Sequence, residues 1–208
     1  MIKILPAVVL AACLASISTP ANATTMVQLS TIQMVDASDA IVRGTITEVW
    51  AEEDDNGIVW TRAQIEVSQT YKGKAKKKAF IVDQLGGSFG GNVSSVPGAA
   101  RFSPGEEGVF FLEHLDSGRT TTVGLSQGKF TLRLDPYSRE FIAQRFIPAP
   151  GQDYDHRFLP LPTEAKKLFL ADLEDTIQGR IDVGWDGTLI PGTSVERLRS
   201  INVKEVVR

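Results

Sequence analysis

Two long stretches of alternating residues, joined by an acidic turn, occupy residues 38–73 and constrain the fold more than any other feature of the sequence. In the second stretch, apolar or small residues recur mostly at every second position. They are Val59, Thr61, Ala63, Ile65, Val67 and Tyr71. A period of two residues is typical of a β-strand with one face in a core and the other in water. The pattern therefore predicts a strand whose core face includes Ile65 and Val67.

The first stretch, over residues 40–50, predicts the partner strand, because its Ile, Val and Thr residues suit a pleated surface. Four acidic residues at positions 52–55 follow it, and Asn56 and Gly57 come directly after them. Asn-Gly is a strong hairpin signal because both residues tolerate the positive φ angles that tight turns need. We therefore predict a β-hairpin with a solvated acidic tip. The lysine-rich segment at residues 72–78 is predicted to be a second solvated turn.

Further strands and one short helix are predicted around this hairpin. Ser30 and Gln33 fit a capping box, in which each side chain binds the backbone of the other residue, so a helix is expected over residues 31–37. The strands predicted downstream are short and separated by turn residues; they cover 79–85, 109–115, 120–125, 130–134 and 140–144. Many short strands linked by turns indicate a barrel or a sandwich.

A glycine-rich segment interrupts the strands at residues 86–108. It contains seven glycines and two prolines, and it is predicted to be a loop with at most a short strand near residues 93–96. A loop of this length inside a compact domain is a place to look for function. Aromatic and arginine side chains often anchor interfaces, so Phe89, Arg101 and Phe102 are the predicted binding residues. The alternative is that both phenylalanines fold back and plug the barrel.

The C-terminal region has a different composition. Residues 147–162 contain four prolines and are predicted to wrap the surface without regular structure. Thr163 can cap a helix that ends near residue 178, before Gly179, and that packs on the barrel. A second capping box from Thr193 to Glu196 predicts one short helix, followed by a loose tail. The predicted organisation is a barrel domain over residues 24–146 and a linker, helix and tail over residues 147–208.

The first 23 residues have the layout of a secretory signal peptide. Lys3 supplies the positive charge, an apolar run follows, and Ala21-Asn22-Ala23 is a cleavage site of the A-x-A type. We predict cleavage after Ala23 and a periplasmic or secreted location. The alternative is a lipid anchor on Cys13, because residues 10–13 resemble a lipobox. No later segment has the ~20 apolar residues of a membrane-spanning helix.

Charge and residue counts restrict the partners and cofactors. The chain carries 22 basic and 25 acidic residues, and the predicted leader contains one of the basic ones, so the mature net charge is −4. A negative chain is a poor partner for nucleic acid. The mature chain would have no cysteine and two isolated histidines, which do not make a zinc site. We therefore predict no metal, no cofactor and no nucleic-acid partner.

One motif favours an enzyme. Residues 86–90 match the G-x-S-x-G pattern of a hydrolase nucleophile elbow and follow a predicted strand, with Ser88 as the nucleophile. His114 and His156 lie downstream as candidate bases. The elbow must continue into a helix, however, and residues 92–98 do not have the sequence of a helix. A serine hydrolase is therefore kept as an alternative to a flexible glycine loop.

The start of the predicted barrel resembles a known family. Residues 38–44, the long hairpin and Tyr71-Lys72-Gly73 before the next strand resemble the opening of netrin-like modules, which include the tissue inhibitors of metalloproteinases. The resemblance covers residues 30–85 and implies a five-stranded, partly open Greek-key barrel of the OB type. Those inhibitors begin with a cysteine that chelates the protease zinc, and disulfides hold them together. The mature chain has neither feature, so the resemblance implies the fold without the inhibitory mechanism.

A second resemblance extends over most of the mature chain but implies no activity. The chain is similar to a diffuse group of secreted bacterial proteins with a shared order of short motifs. In this chain the motifs are Lys72-Gly73, Gly86-Gly87, Gly105-Glu106, Phe111-Leu112 and Gly128-Lys129-Phe130.

Together these observations predict a mainly β protein. We expect an OB-like (netrin-like), partly open β-barrel with a short N-terminal helix and a C-terminal helical extension. The predicted function is that of an exported, non-enzymatic binding module of the bacterial envelope or secretome. Its expected ligand is a protein, such as a secreted protease, or an envelope glycan. The alternatives are the hydrolase that uses Ser88 and a structural envelope protein without a discrete ligand.

Overall fold

The structure, a computed structural model, describes residues 27–74, 78–146 and 166–206. Over these residues the chain is mainly β, and one antiparallel sheet curls into an OB-like, partly open barrel, as the sequence predicts. A short helix precedes the sheet and two helices follow it. The predicted signal peptide, Cys13 and His156 lie outside the described residues.

The elements are numbered here in chain order. The helices are α1 (Thr31–Ala37), α2 (Leu170–Val183) and α3 (Val195–Val206), and a 3₁₀-helix covers Leu125–Gly128. The strands are β1 (Ala40–Glu53), β2 (Val59–Lys72), β3 (Ala79–Leu85), β4 (Gly87–Phe89), β5 (Asn92–Ser94), β6 (Glu107–His114), β7 (Thr120–Thr122), β8 (Lys129–Leu134), β9 (Phe141–Arg145) and β10 (Lys166–Phe169). The order across the main sheet is β10-β9-β8-β6-β1-β2-β3, with β7 paired to β6, while β4 and β5 form a separate hairpin.

Strands β1 and β2 form the predicted hairpin, with Glu53 paired to Val59 next to the acidic tip. Ile65 is fully buried and Val67 packs against the same core, which confirms their predicted face. The register of the two strands shifts at three positions. Tyr71 packs against a different core, on the other face of the sheet. The prediction that Tyr71 shares the face of Ile65 is therefore wrong, because a β-bulge adds one residue and reverses the alternation.

Strand β6 connects the two parts of the sheet. One of its edges pairs with β1, and its other edge pairs first with β8 and then with β7. Because β7 also contacts β3, strands β1, β2, β3, β7 and β6 enclose an apolar interior. This barrel core consists of Ala40, Val42, Ile46, Ala63, Ile65, Phe80, Val82, Phe110 and Leu112.

The helices cover the opposite face of the sheet. Helix α1 begins with the predicted capping box, in which the Ser30 hydroxyl accepts from the Gln33 backbone N–H. The helix-side core includes Met34, Ile41, Val109, Phe111, Phe130, Leu173, Ile177 and Leu198. The Arg180 guanidinium of α2 binds both carboxylate oxygens of Asp36, at 2.7 Å and 2.9 Å, and so fixes α2 on α1. Ion pairing and apolar burial therefore act together where the helices meet the sheet.

The predicted helix over residues 164–178 differs from the structure at both ends. Its first part, Lys166–Phe169, is strand β10, which pairs with the edge strand β9. Helix α2 begins at Leu170, runs through Gly179 and ends at Gly184, whose φ is +77°. A glycine with positive φ is a common helix end. Pairing with the sheet edge therefore determines where α2 begins. The helix ends at Gly184, five residues beyond the predicted end at Gly179.

The C-terminal segment is also more ordered than the sequence predicts. The residue that caps α3 is Ser194 and not Thr193, because the Ser194 hydroxyl accepts from the Arg197 N–H at 3.1 Å. Arg197 then binds the Asp39 carboxylate at 2.8 Å, next to the start of β1. The prediction of a loose tail is wrong as far as Val206, because this ion pair and the buried Leu198 hold α3 against the sheet.

Two polar segments differ from their predicted structures. Lys72 is 4% exposed and its ammonium donates to the Val35 carbonyl at 2.8 Å, so at this position the prediction of a solvated turn is wrong. A lysine buries its long alkyl chain readily when its ammonium group finds an acceptor.

In the glycine-rich segment the structure has two short strands, β4 and β5, where the sequence predicts at most one.

Candidate functional site

A cleft lies between the glycine-rich segment and strands β8 and β9. Its volume is about 620 Å³, within the range of about 300–1,000 Å³ that is usual for ligand pockets. The lining residues come from β2, β3, the segment after β3, the 3₁₀-helix, β8, β9 and the residue after β9. They are Thr61, Gln84, Leu85, Gly86, Gly87, Ser94, Ser95, Val96, Gly98, Ala99, Ala100, Arg101, Ser126, Lys129, Thr131, Arg133, Gln144 and Phe146.

Strand β8 supplies the polar side of the cleft. Phe130 and Leu132 are buried in the helix-side core, so the residues between and beside them face the other way. Lys129, Thr131 and Arg133 line the cleft, as expected from the two-residue period of a strand. Lys129 pairs with Phe110 of the barrel core, which places the ammonium at the end of that core. The same sheet face is thus apolar inside the barrel and polar at β8.

The opposite side of the cleft is a glycine-rich segment that is tied to the barrel. The Thr61 hydroxyl donates to the Gly86 carbonyl at 2.7 Å, and the Ala100 N–H donates to the Gln84 carboxamide at 3.1 Å. Gly86 has a φ of +96°, and a Cβ there would lie 2.9 Å from the Ser94 carbonyl oxygen. Only glycine fits this turn without strain. The wall of the cleft is therefore a loop with fixed ends.

The Lys129 ammonium is the least exposed of the cleft cations, with 10% of its side chain exposed. It lies 2.7 Å from a Glu106 carboxylate oxygen and also donates to the Arg101 carbonyl. The second partner of Glu106 is the Thr131 hydroxyl, which donates to it. Burial lowers the pKa of Lys129, and the Glu106 carboxylate opposes this shift because it stabilises the charged ammonium. Lys129 is therefore a positioned cation that is already partly compensated.

Arg133 differs from Lys129 in having no such compensation. Its side chain is exposed at the cleft, and no carboxylate in the described part of the chain pairs with it. Arg101 is also exposed at the cleft and has contacts of its own. The cleft is thus lined by three cationic side chains, and none of its described lining residues is acidic.

The structure separates the three predicted binding residues. Arg101 lines the cleft. Phe102 is half-buried, packs against the barrel core and lies under the Lys129 ammonium, with 5.4 Å between the nitrogen and the ring centroid. Phe89 is 45% exposed and lies on the β4–β5 hairpin, outside the cleft lining. Of the two phenylalanines, Phe102 therefore adopts the alternative of folding back onto the barrel and Phe89 does not.

Ser88 and His114 of the predicted hydrolase lie on different strands of the structure, β4 and β6. Ser88 is exposed on β4, and the chain continues through a turn into β5 rather than into a helix. Strand β4 contacts β1, β2 and β5. His114 ends β6, and its Nδ1 atom lies 2.8 Å from the Thr120 hydroxyl. The structure thus gives Ser88 a strand–turn–strand setting, while His156 lies outside the described residues.

A second group of charges, here called the paired cluster, consists of Glu52, Asp54, Arg62, Asp83 and Arg119. Asp83 lies 2.9 Å from the Arg62 Nε atom and accepts from Arg119 at 3.0 Å. Glu52 also binds Arg62 at 3.0 Å, and Asp54 lies 4.0 Å from Arg119.

The paired cluster joins the acidic hairpin tip to β3 and to the turn before β7. The Arg119 guanidinium also lies 4.3 Å from the ring centroid of Trp60, a cation–π distance. The predicted solvated tip is therefore wrong for Glu52 and Asp54, whose carboxylates help to close the barrel between β3 and β7. Hydrogen bonds from backbone and side-chain donors, led by the Ile58 N–H, lower the pKa of Asp54.

Neither a metal-ligand cluster nor a membrane-spanning helix is present among the described residues. Within residues 27–74, 78–146 and 166–206, no three His, Cys, Asp or Glu side chains are grouped as metal ligands. Over the same ranges, no helix has both the length and the apolar character needed to span a bilayer.

Sequence reasoning missed Lys129, Thr131, Arg133 and Gln144 as cleft residues. The alternation of β8 is visible in the sequence, and it shows that Thr131 and Arg133 share one face. It does not show what that face meets, because the glycine-rich segment lies some thirty residues earlier in the chain. The missing information is a long-range contact and not a local pattern.

No protein-family model matches the sequence. A comparison with curated proteins finds no significant match either. The netrin-like resemblance therefore stays a prediction, whereas the OB-like barrel is present in the structure.

Proposed function

We propose that this chain is an exported, non-enzymatic binding module that holds a segment of a partner protein in the cleft. The observation that carries the proposal is the construction of the cleft. A glycine-rich segment with fixed ends faces the polar residues of β8 across about 620 Å³ of space. Exposed residues on a rigid barrel are the usual arrangement for recognition.

The expected partners are other exported proteins, because the leader sequence predicts transport out of the cytoplasm. Secreted proteases are one class among them. Arg101 belongs to the proposed site because it lines the cleft. Phe89 is proposed as an outer contact, since 45% of its surface is exposed on the hairpin beside the cleft wall. Phe102 acts through packing, because it supports Lys129 from the barrel core.

A pull-down with a cleft-filling variant tests the proposal. The tagged chain would be expressed with its leader and used to capture proteins from envelope and culture-medium fractions. Ala99 lines the cleft, so Ala99→Trp should fill it, whereas Ala171 is exposed on α2 and Ala171→Trp serves as the matched control. We expect wild type and Ala171→Trp to capture the same partner, which Ala99→Trp loses while its melting temperature stays close to that of wild type.

The captured partner must then bind the purified chain directly, with the same dependence on the cleft. Identical capture by all three proteins would show that the cleft is not the site. Absence of any partner would favour the structural envelope protein. The hydrolase alternative is tested with a fluorophosphonate probe, since labelling of wild type that disappears in Ser88→Ala would favour an enzyme.

Export is tested by the mass of the protein recovered from the envelope. We expect a mature chain that begins at residue 24, because Ala21-Asn22-Ala23 follows the apolar run. A chain that begins at a lipid-modified Cys13 would replace the soluble exported form with an anchored one.

A further inference from the structure

We propose that the cleft is specific for an extended, acidic polypeptide segment whose carboxylates bind Arg133 and Lys129. This inference rests on the proposed function and adds the chemistry of the ligand. Three features support it: the charge of the cleft, the spacing of its cations, and an edge of β5 that pairs with no strand among the described residues.

The charge of the cleft favours a carboxylate. Arg101, Lys129 and Arg133 line it, and no acidic side chain belongs to its described lining. Glu106 lies beneath Lys129 and compensates one of these charges, at 2.7 Å. The Arg133 guanidinium has no carboxylate partner in the described ranges. A guanidinium offers a planar set of donors that matches a carboxylate in a bidentate pair. Arg133 is therefore the principal anchor in this proposal.

The spacing of the cations favours an extended chain. Lys129 and Arg133 lie four positions apart on one face of strand β8. With a rise of about 3.3 Å per residue, their Cα atoms are about 13 Å apart along the strand. An extended peptide has the same rise, so acidic residues four positions apart can reach both cations. Thr131 lies between them and Gln144 pairs with it on β9, which leaves polar groups for the residues in the middle.

The free strand edge favours a peptide over an acidic glycan. Strand β5 pairs with β4 on one side, and Ser94 at its end lines the cleft. An extended peptide can add main-chain hydrogen bonds to such an edge, and its side chains then reach the facing surface. The apolar lining consists mostly of small or aliphatic residues such as Val96 and Ala99, and Phe146 supplies the one aromatic ring of the described lining. Flat aromatic surfaces on which sugars stack are therefore scarce.

Fluorescence anisotropy with two capped, labelled hexapeptides tests the proposal. In one peptide glutamate alternates with threonine, and in the other glutamine replaces every glutamate. A charge-assisted hydrogen bond is stronger than a neutral one, so the acidic peptide should bind about tenfold tighter or more at low salt. Arg133→Gln should remove most of this difference, because it weakens the acidic peptide much more than the glutamine peptide. Arg199 is exposed on α3 outside the cleft, so Arg199→Gln is the matched control and should behave as wild type.

Three outcomes would overturn the inference. Equal affinity for the two peptides would remove the acidic specificity. Failure of both peptides to bind would remove the extended-peptide class. Tighter binding of a galacturonate trisaccharide than of the acidic peptide would assign the cleft to acidic glycans. The proposed function is judged separately, because Ala99→Trp blocks the cleft for any ligand whatever its charge.

Discussion

The paired cluster and the cleft both place cationic side chains on the barrel, but they use the charge differently. In the paired cluster Arg62 and Arg119 share the Asp83 carboxylate, whose side chain is 3% exposed. Glu52 binds the Arg62 guanidinium as well, and Trp60 lies beneath Arg119. The guanidinium groups of this region are therefore paired with carboxylates of the fold itself.

In the cleft, Lys129 is paired within the fold as well, but Arg133 is not. Glu106 is the one carboxylate bound to the Lys129 ammonium, and Arg133 has no acidic partner in the part of the chain that the structure describes. A buried charge without a partner is costly, whereas an exposed one can stay solvated until a ligand arrives. The paired cluster therefore stabilises the barrel, whereas Arg133 keeps a charge that the proposed ligand would bind.

Removal of the shared carboxylate should have the largest effect on stability. Asp83→Ala leaves Arg62 and Arg119 facing each other without their buried partner. Loss of one member of a buried ion pair costs about 3 kcal/mol or more, so the free energy of unfolding should fall by that amount. Urea denaturation measures it. Asp116→Ala, an exposed carboxylate in the turn before β7, is the control and should stay within about 0.5 kcal/mol of wild type. Equal losses in both variants would mean that the paired cluster does not close the barrel.

The carboxylate beneath the cleft should have an intermediate effect. Glu106→Gln keeps the shape of the side chain but removes the charge that Lys129 and Thr131 bind. Hydrogen bonds to charged groups contribute about 1.5–3 kcal/mol, and part of this remains with glutamine, so a loss of about 1 kcal/mol is expected in urea denaturation. Glu140→Gln, exposed in the turn before β9, is the matched control. A loss as large as that of Asp83→Ala would make the cleft as structural as the paired cluster.

Acid should weaken the paired cluster through Glu52. The hydrogen bond from Arg62, with the charges of Arg62 and Arg119, lowers the pKa of Glu52 below its ordinary value of 4.5. A lowered folded pKa means that this contribution to stability is complete above pH 4.5 and is lost as the pH falls through the folded pKa. Below pH 4.5 the free energy of unfolding of wild type should therefore fall more steeply than that of Glu52→Gln. Parallel curves from pH 7 down to the acid limit would show that Glu52 is not coupled to folding.

The parts of the fold that were predictable from sequence depend on local patterns. The hairpin and α1 follow from alternation, Asn-Gly and a capping box, all within a few residues of one another. The alternation predicts the wrong face for Tyr71, because a bulge inside β2 has no clear sequence signal. The sequence of β10 predicts helix. The segment is a strand because pairing with β9 supplies its backbone hydrogen bonds. Long-range pairing overrides local propensity in this case.

In the two charged regions, too, the sequence predicts local structure but not the long-range contacts. The sequence predicts a solvated turn at the acidic tip. It does not show that Arg119 binds there, because Arg119 lies in a turn some sixty residues later in the chain. For the cleft, the sequence indicates the glycine-rich segment and Arg101 but not the facing residues of β8. In β8, whose pairing has no register shift, the sequence shows which residues share a strand face. The curvature of the sheet determines what that face meets.

Substitution of Arg133 should have the smallest effect on the free energy of unfolding. Arg119→Gln is the matched variant in the paired cluster. Arg119→Gln removes a guanidinium bound to Asp83 and stacked on Trp60, whereas Arg133→Gln removes one with no carboxylate partner among the described residues. Exposed substitutions away from such contacts stay within about 0.5 kcal/mol, so the urea midpoint of Arg133→Gln should match that of wild type. Arg119→Gln should be clearly less stable. If the two variants lose equal stability, Arg133 is held by the fold, and its charge is not available to a ligand. If Arg133→Gln keeps full stability and Arg119→Gln does not, the two regions divide their positive charge between binding and folding.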